Sequence, residues 1–320
     1  LAYDKNSGEL LWERELARGV PKIKRHAKSS HASATAAADG ERLVVFFGSE
    51  GLHCLDMEGN VLWSKSFGTL DAGYFKAPDA QWEFGNSPVV HDGKVVVLAD
   101  VQKGGFLAVL RLEDGEELWR VGRDDVPTWG APLVVTTGER TQIVVNGWKH
   151  TGGYDFETGK ELWSVNGGGD IPVPSPVHGE GRFYLTSAHG QMAPVYAVVD
   201  KRRGRTDLAS DETAGLAWIV RRKGSYMATP LLMDGLLYVV RWNGVLVCVD
   251  AKSGRVVYEE RLPPGAYTAS PVGGDGKLYV ANEEGDITIV RSGREFAVLA
   301  KTLSEDPILA TPALSEGVLF

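Results

Sequence analysis

At 320 residues the chain has room for two domains or for one large all-β domain. Hydrophobic residues make up 43% and charged residues 24%, an ordinary globular balance, and no apolar run approaches the roughly 20 residues of a membrane-crossing helix. The net charge of −8 argues against a nucleic-acid partner, so the short basic clusters at 22–28, 201–205 and 221–223 read as solvated loops.

In chain order, the sequence opens on "YDKNSGELLW", a turn at Gly8 followed by Trp12. A loop with Lys22, Lys24, Arg25, His26, Lys28 and His31 leads to "ATAAA" and then to "LDMEGNVLW", with Gly59 and Trp63. A second loop carries Gln81, Trp82 and Glu83 into "NSPVV". Four strands are predicted next, at 87–90, 94–99, 106–112 and 117–121, with Gly115 and Trp119 in the last turn and strand. Asp125 and Trp129 precede "GAPLV"; Trp148, Lys149 and His150 precede "YDFETGKELW", with Gly159 and Trp163. Asp170 precedes "PSPV", and His189 with Gln191 precedes a turn at Gly204. An insertion at 206–217 then separates that turn from Trp218, which can take the aromatic role. Tyr226 leads to "ATPLL", Arg241 and Trp242 lie in the next loop, and Gly254 and Tyr258 repeat the turn. Tyr267 leads to "ASPV", Glu283 and Glu284 follow, and the last copies are Gly293 and "ATPAL".

Two signatures thus alternate: an Asp, a turn ending in Gly and an aromatic residue four positions on; and a small residue, Pro and a hydrophobic pair. The turn glycines are spaced by 51, 56, 44, 45, 50 and 39 residues. Four short strands per period of that size, with no helical periodicity, predict an all-β β-propeller of four-stranded blades. We expect one propeller domain over residues 1–320. The ends fall inside repeats, so we expect a piece of a longer chain with six complete blades and two half blades. Eight blades in the parent is the preferred reading; closure of the halves into a seven-bladed ring is the other. Cys54 and Cys248 occupy equivalent slots in separate repeats and are expected to be buried free thiols.

The repeated turn has a physical logic. Gly permits positive φ, Asp accepts from turn N–H groups, and Trp offers a flat apolar surface plus one N–H donor for a neighbouring blade. The expected docking residues are Gly8, Trp12, Gly59, Trp63, Gly115, Trp119, Gly159, Trp163, Gly254 and Tyr258. The pattern Asp-x-x-(Ser/Thr)-Gly-x-x-x-Trp resembles the tryptophan-docking motif of quinoprotein-type propellers, a group holding both pyrroloquinoline quinone (PQQ) dehydrogenases and BamB-like assembly proteins of the bacterial outer membrane. The whole chain resembles exported bacterial PQQ-binding-like β-propeller repeat proteins, through "VPKIKRHAKSSHAS", "DAQWEFGNSP", "RDDVPTWGAP", "VNGWKHTGGYD", "GGGDIPVPSPV" and "NEEGDI". The resemblance implies a periplasmic or exported location.

One set of turns is minimal, while the loops leading into inner strands and those between second and third strands are long and rich in aromatic and ionisable groups. Long loops on a rigid scaffold are where function concentrates. We therefore expect a ligand-binding funnel from Lys24, Arg25, His26, His31, Trp82, Glu83, Asp125, Trp129, Trp148, His150, Asp170, His189, Tyr226, Arg241 and Trp242, with a solvated rim as the competing reading. The expected function is a non-catalytic, BamB-like binding scaffold, offering this face to a protein or to an extended ligand such as a glycan or peptide, with no cofactor. The first alternative is a PQQ-dependent oxidoreductase, with PQQ and calcium held near Lys24 or Arg25. The resemblance implies a vicinal Cys pair for such enzymes, and the sequence has none; Asp125 and Asp170 are the only candidates for a catalytic Asp. The second alternative is a metal-assisted hydrolase or lyase using His26, His31, His150 and His189, whose spacing matches no short ligand motif.

Overall fold

Six sheets follow one another along the chain in the computed structural model, each built on four antiparallel strands and one of them extended by a fifth; the structure describes residues 1–208, 213 and 215–320. Blade A holds Ala37–Ala38, Arg42–Phe46, Leu52–Asp56 and Val61–Lys65. Blade B holds Val89–His91, Lys94–Ala99, Phe106–Arg111 and Glu117–Gly122. Blade C holds Leu133–Thr137, Arg140–Val145, Thr151–Asp155 and Glu161–Asn166. Blade D holds Val177–Gly179, Arg182–Thr186, Val195–Val199 and Leu216–Val220. Blade E holds Leu231–Met233, Leu236–Val240, Val245–Asp250 and Val256–Arg261. Blade F holds Val272–Gly274, Lys277–Ala281, Asp286–Arg291 and Val298–Leu303. Short two-stranded pairs stand at either end, Ala2–Tyr3 with Leu10–Trp12 and Leu314–Ser315 with Val318–Leu319.

The chain forms two compact units, Leu1–Val134 with Asp155–Lys160, and Val135–Tyr154 with Glu161–Phe320. Blades A and B lie in the first; D, E and F lie in the second, as does most of C. In the first unit, Val95, Val97 and Ala99 of blade B pack with Val44, Phe46 and Cys54 of blade A. In the second, Leu237, Val239 and Val247 of blade E pack with Tyr184, Val195 and Ala197 of blade D. The alternate residues Leu236, Tyr238 and Cys248 meet Leu278, Val280 and Val290 of blade F. Successive side chains of a strand point to opposite faces. A middle strand covered on both faces therefore reads as an unbroken apolar run, as in "KVVVLA". Cys54 and Cys248 are free and buried.

The outer strand carries a bulge at one recurring place. In blade B, Val109 pairs with Trp119 and Leu110 with Glu117, so Leu118 is unpaired. The same one-residue shift occurs in blades A, C, D, E and F. A bulge re-aims the side chain beside it, and in five blades that residue is the repeat's aromatic. Trp63 donates its Nε1–H to the Leu112 carbonyl at 2.9 Å, and its ring covers Gly115. Trp12 does the same to Met57 and Gly59, Trp119 to Phe156 and Gly159, and Trp218 to Ala251 and Gly254. Nothing lies within 4 Å of where a Gly8 side chain would be. Tyr258 meets Phe296 edge-on at 5.8 Å.

Trp163 differs. It is 1% exposed and donates to the Gln142 side chain of its own blade at 3.1 Å; Gln142 in turn donates to the Asp200 carbonyl of blade D at 2.9 Å. The insertion after Gly204 supplies the reason. Gly204–Asp207 pairs in parallel with Trp163–Asn166 as a fifth strand of blade C, so the usual turn is not there to receive the indole. Residues 209–212 and 214 of the insertion lie outside the described residues.

Candidate functional site

Several loops that lead into inner strands are tied between blades by the Ser or Thr that stands before the Pro; before Pro132 that place is Ala131. The Thr35 N–H donates to Ser87 Oγ at 2.9 Å in the first unit. In the second, Ser175 donates to Thr229 Oγ1, Thr229 to Ser270 Oγ and Ser270 to Thr311 Oγ1, at 3.0, 2.9 and 3.0 Å. The sequence shows this signature as a small residue before Pro; its hydroxyl, where present, is the signal of the clasp.

In the first unit the loop at 22–31 is fastened at several points. Lys22 Nζ donates to the Ser49 carbonyl at 2.7 Å, and Arg25 turns back on its own loop to the Ser29 carbonyl at 2.8 Å. Lys24 is exposed. The His26 ring stacks on Trp82 at 4.6 Å with 13° between planes. His31 Nδ1 lies 2.9 Å from Glu83 Oε2, and the Glu83 carbonyl accepts from Trp129 Nε1 at 2.9 Å. Glu83 is 4% exposed and has φ of 69°, a left-handed backbone rare for a residue with a side chain. Burial pushes its carboxyl above the usual range, with His31 opposing the shift. The structure thus brings His31, Glu83 and Trp129 together, and His26 with Trp82.

Asp125 is placed otherwise. Its side chain is fully buried, accepts from the Val126 N–H at 2.7 Å and lies 3.4 Å from Arg123 Nη2. Arg123 also holds Asp100 through two bonds of 2.7 and 3.0 Å, and Thr128 Oγ1 donates to Asp100 at 3.1 Å. Burial pushes the Asp100 carboxyl up, against the pull of Arg123. This buried ion network holds the loop at 123–130 against blade B.

In the second unit, His189 Nδ1 lies 2.6 Å from Asp170, and its ring stacks on Tyr226 at 5.5 Å. Asp170 is 5% exposed. His150 sits apart from this group, 3.2 Å from Glu161 on the outer strand of blade C. Trp148 is half-buried in the preceding loop. Arg241 and Lys223 both reach Glu259, and Trp242 is 52% exposed.

These pairs set the chemistry available. Among the described residues no group of three or more His, Cys, Asp or Glu is placed to hold a metal ion. The residues do not fit PQQ: the two cysteines are buried in different blades, Asp125 is bound to Arg123, Asp170 to His189, and Arg25 to loop carbonyls.

The sequence profile of the family described as "Outer membrane protein assembly factor BamB" matches residues 1–164, 103–229 and 208–295. The outer membrane protein assembly factor BamB of Shewanella oneidensis is 27% identical over 174 residues, covering 50% of this chain and 40% of its own length. That of Alteromonas naphthalenivorans is 25% identical over 271 residues, covering 78% of this chain and 58% of its own length. The chain therefore spans about half the length of these relatives. Among solved structures, BamB from Moraxella catarrhalis superposes with a TM-score of 0.66 at 14% identity, covering 88% of this chain and 80% of that one. A europium-containing methanol dehydrogenase gives 0.65 at 13%, covering 92% and 76%. Together with the repeated four-stranded sheets, these likenesses show a β-propeller fold.

Proposed function

Because the chain belongs to the outer membrane protein assembly factor BamB family, we propose that it is a non-catalytic propeller that binds a protein or another extended ligand with its long loops. The observation that carries this reading is the state of the loop carboxylates. Glu83, Asp125 and Asp170 are each buried and committed to a neighbouring cation or imidazole. They brace loops and present no reacting group, while exposed aromatic and basic side chains such as Trp242 and Lys24 are left on the surface. Aromatic and cationic groups are the usual anchors of a protein interface. The relatives' role, assembly of outer membrane proteins, supports an exported, periplasmic protein whose partner is a polypeptide.

The test uses the full-length protein in two arms. In one it is mixed with PQQ and Ca²⁺, desalted, and its visible spectrum and metal content are recorded. In the other it is titrated with an unfolded outer membrane protein and followed by fluorescence anisotropy. We expect no retained quinone and saturable polypeptide binding, weakened several-fold by Trp242→Ala. Stoichiometric quinone without polypeptide binding overturns the reading in favour of an oxidoreductase.

A further inference from the structure

The first unit contains a cleft that the loop pairs above do not explain. It has a volume of about 620 Å³, within the range of roughly 300–1,000 Å³ typical of ligand sites. One wall is the segment 14–20, which has no regular secondary structure. The segment is exposed except at Leu16, and among the described residues its N–H and C=O groups form no backbone–backbone hydrogen bond, which leaves them open to an added strand. Val20 on this wall is 93% exposed, the most exposed large apolar side chain among the described residues.

The cleft is apolar inside and basic at its rim. Leu16, Val20 and Phe47 line it together with Arg14, Arg18 and Lys22. Glu15 offsets Arg18 at 2.7 Å, and Glu50 stands 3.9 Å from Lys22. Arg14 gives its Nε–H to the Gly59 carbonyl at 2.7 Å and pairs with no carboxylate. The lining thus carries an excess of positive charge in a chain of net charge −8. Lys24 and Arg25 extend the positive surface along the same loop, and neither is paired with a carboxylate.

A wall with no backbone partner, an apolar lining and an uncompensated cation describe one kind of occupant. We propose that this cleft docks an extended peptide segment in which acidic and apolar side chains alternate, its backbone pairing with residues 14–20 as an added strand. Strand addition draws affinity from main-chain bonds and specificity from alternate side chains. On such a strand one face carries apolar groups into the cleft and the other turns carboxylates to the basic rim. This deepens the protein-binding reading and rests on it.

The experiment uses the whole chain and two labelled peptides of equal length, one alternating Glu with Val and the other Lys with Val, followed by fluorescence anisotropy. Binding of the acidic peptide at least tenfold tighter than the basic one is expected. Val20→Glu, a change at a solvated side chain that leaves the thermal midpoint unmoved, is expected to weaken the acidic peptide at least tenfold, and Arg18→Glu to do likewise. Hydrogen exchange at the amides of 14–20 is expected to slow when the acidic peptide is present. Equal affinity for the two peptides, an unchanged affinity in both variants, or no protection of 14–20 overturns the proposal. If the acidic peptide fails while an unfolded outer membrane protein still binds, this docking site is wrong and the protein-binding reading stands. If both fail, the reading beneath it falls as well.

Discussion

Gly115 and Gly93 have nearly the same backbone, with φ of 75° and 65°, yet they do different work. Both stand where an L side chain is disfavoured. At Gly93 the space beyond Cα is open, whereas at Gly115 an added Cβ would lie 2.7 Å from the Trp63 ring. The pair therefore separates turn strain from indole docking. Gly93→Ala should cost about 1 kcal/mol, the strain of a left-handed residue. Gly115→Ala should cost about 3 kcal/mol, because the ring must also shift from a packed position. Urea unfolding of the two variants checks this. Equal losses would mean that the indole moves aside freely, and that the repeated Trp is no clamp.

At the scale of strands, the clamp between blades C and D shows how a fold keeps an interaction after losing the part that made it. The insertion places Gly204–Asp207 beside Trp163–Asn166, and Gln142 bridges the indole N–H and the Asp200 carbonyl across the gap. Gln142 is fully buried. Gln142→Met keeps the volume and removes both bonds, leaving an indole N–H with no acceptor. Stranding buried polar groups costs about 1–3 kcal/mol each. A loss of about 3 kcal/mol is expected, with faster hydrogen exchange at 204–207; a variant as stable as the parent would show that the bridge is idle. The repeat and its four strands were legible beforehand, because alternation, Asp-Gly turns and the spacing of Gly and Trp are local signals. In blade B the predicted strands at 94–99 and 117–121 meet Lys94–Ala99 and Glu117–Gly122. The fifth strand, the shared bulge and the Ser/Thr clasps were not legible. Each depends on which residue lies opposite in another strand or blade, and no local pattern encodes that. The loops were similar. Their aromatic and ionisable content could be read, but the pairing of His31 with Glu83, 52 positions away, could not. Nor could the burial of Asp125 with Arg123, since both look like surface loop residues in "GRDDVP".

Over the whole molecule, one small electrostatic term is repeated. Asp4 is held low by the N–H groups of Ser7 and Asn6, Asp56 by the side chain and N–H of Asn60, and Asp250 by Arg294 and Ser253. Asp39 and Asp114 are lowered by N–H groups of neighbouring turn residues. Each carboxyl titrates below its unfolded value of about 3.9, so the unfolded chain binds the proton more tightly. The stability supplied is complete above that value and is lost as the pH falls through the lower folded values. Asp4, Asp39, Asp56 and Asp114 are solvated, so the contribution of each alone is slight; Asp250, 17% exposed and held by Arg294, is lowered furthest. Four lie in the first unit, Asp39 and Asp56 in blade A and Asp114 in blade B among them, and Asp250 lies in blade E of the second. The contribution of these carboxyls to the thermal midpoint should therefore stay level from about pH 7 to about pH 5 and fall away below about pH 4. Replacing Asp56 and Asp250 together by Asn keeps one acceptor oxygen in each turn and removes the charge together with the second acceptor, which holds Asn60 Nδ2 in one turn and Arg294 Nη2 in the other. The double variant should melt below the parent at neutral pH, and its curve should converge on the parent's in acid. A gap between the two that stays constant with pH would assign the role of these residues to turn geometry, with no contribution from their ionisation.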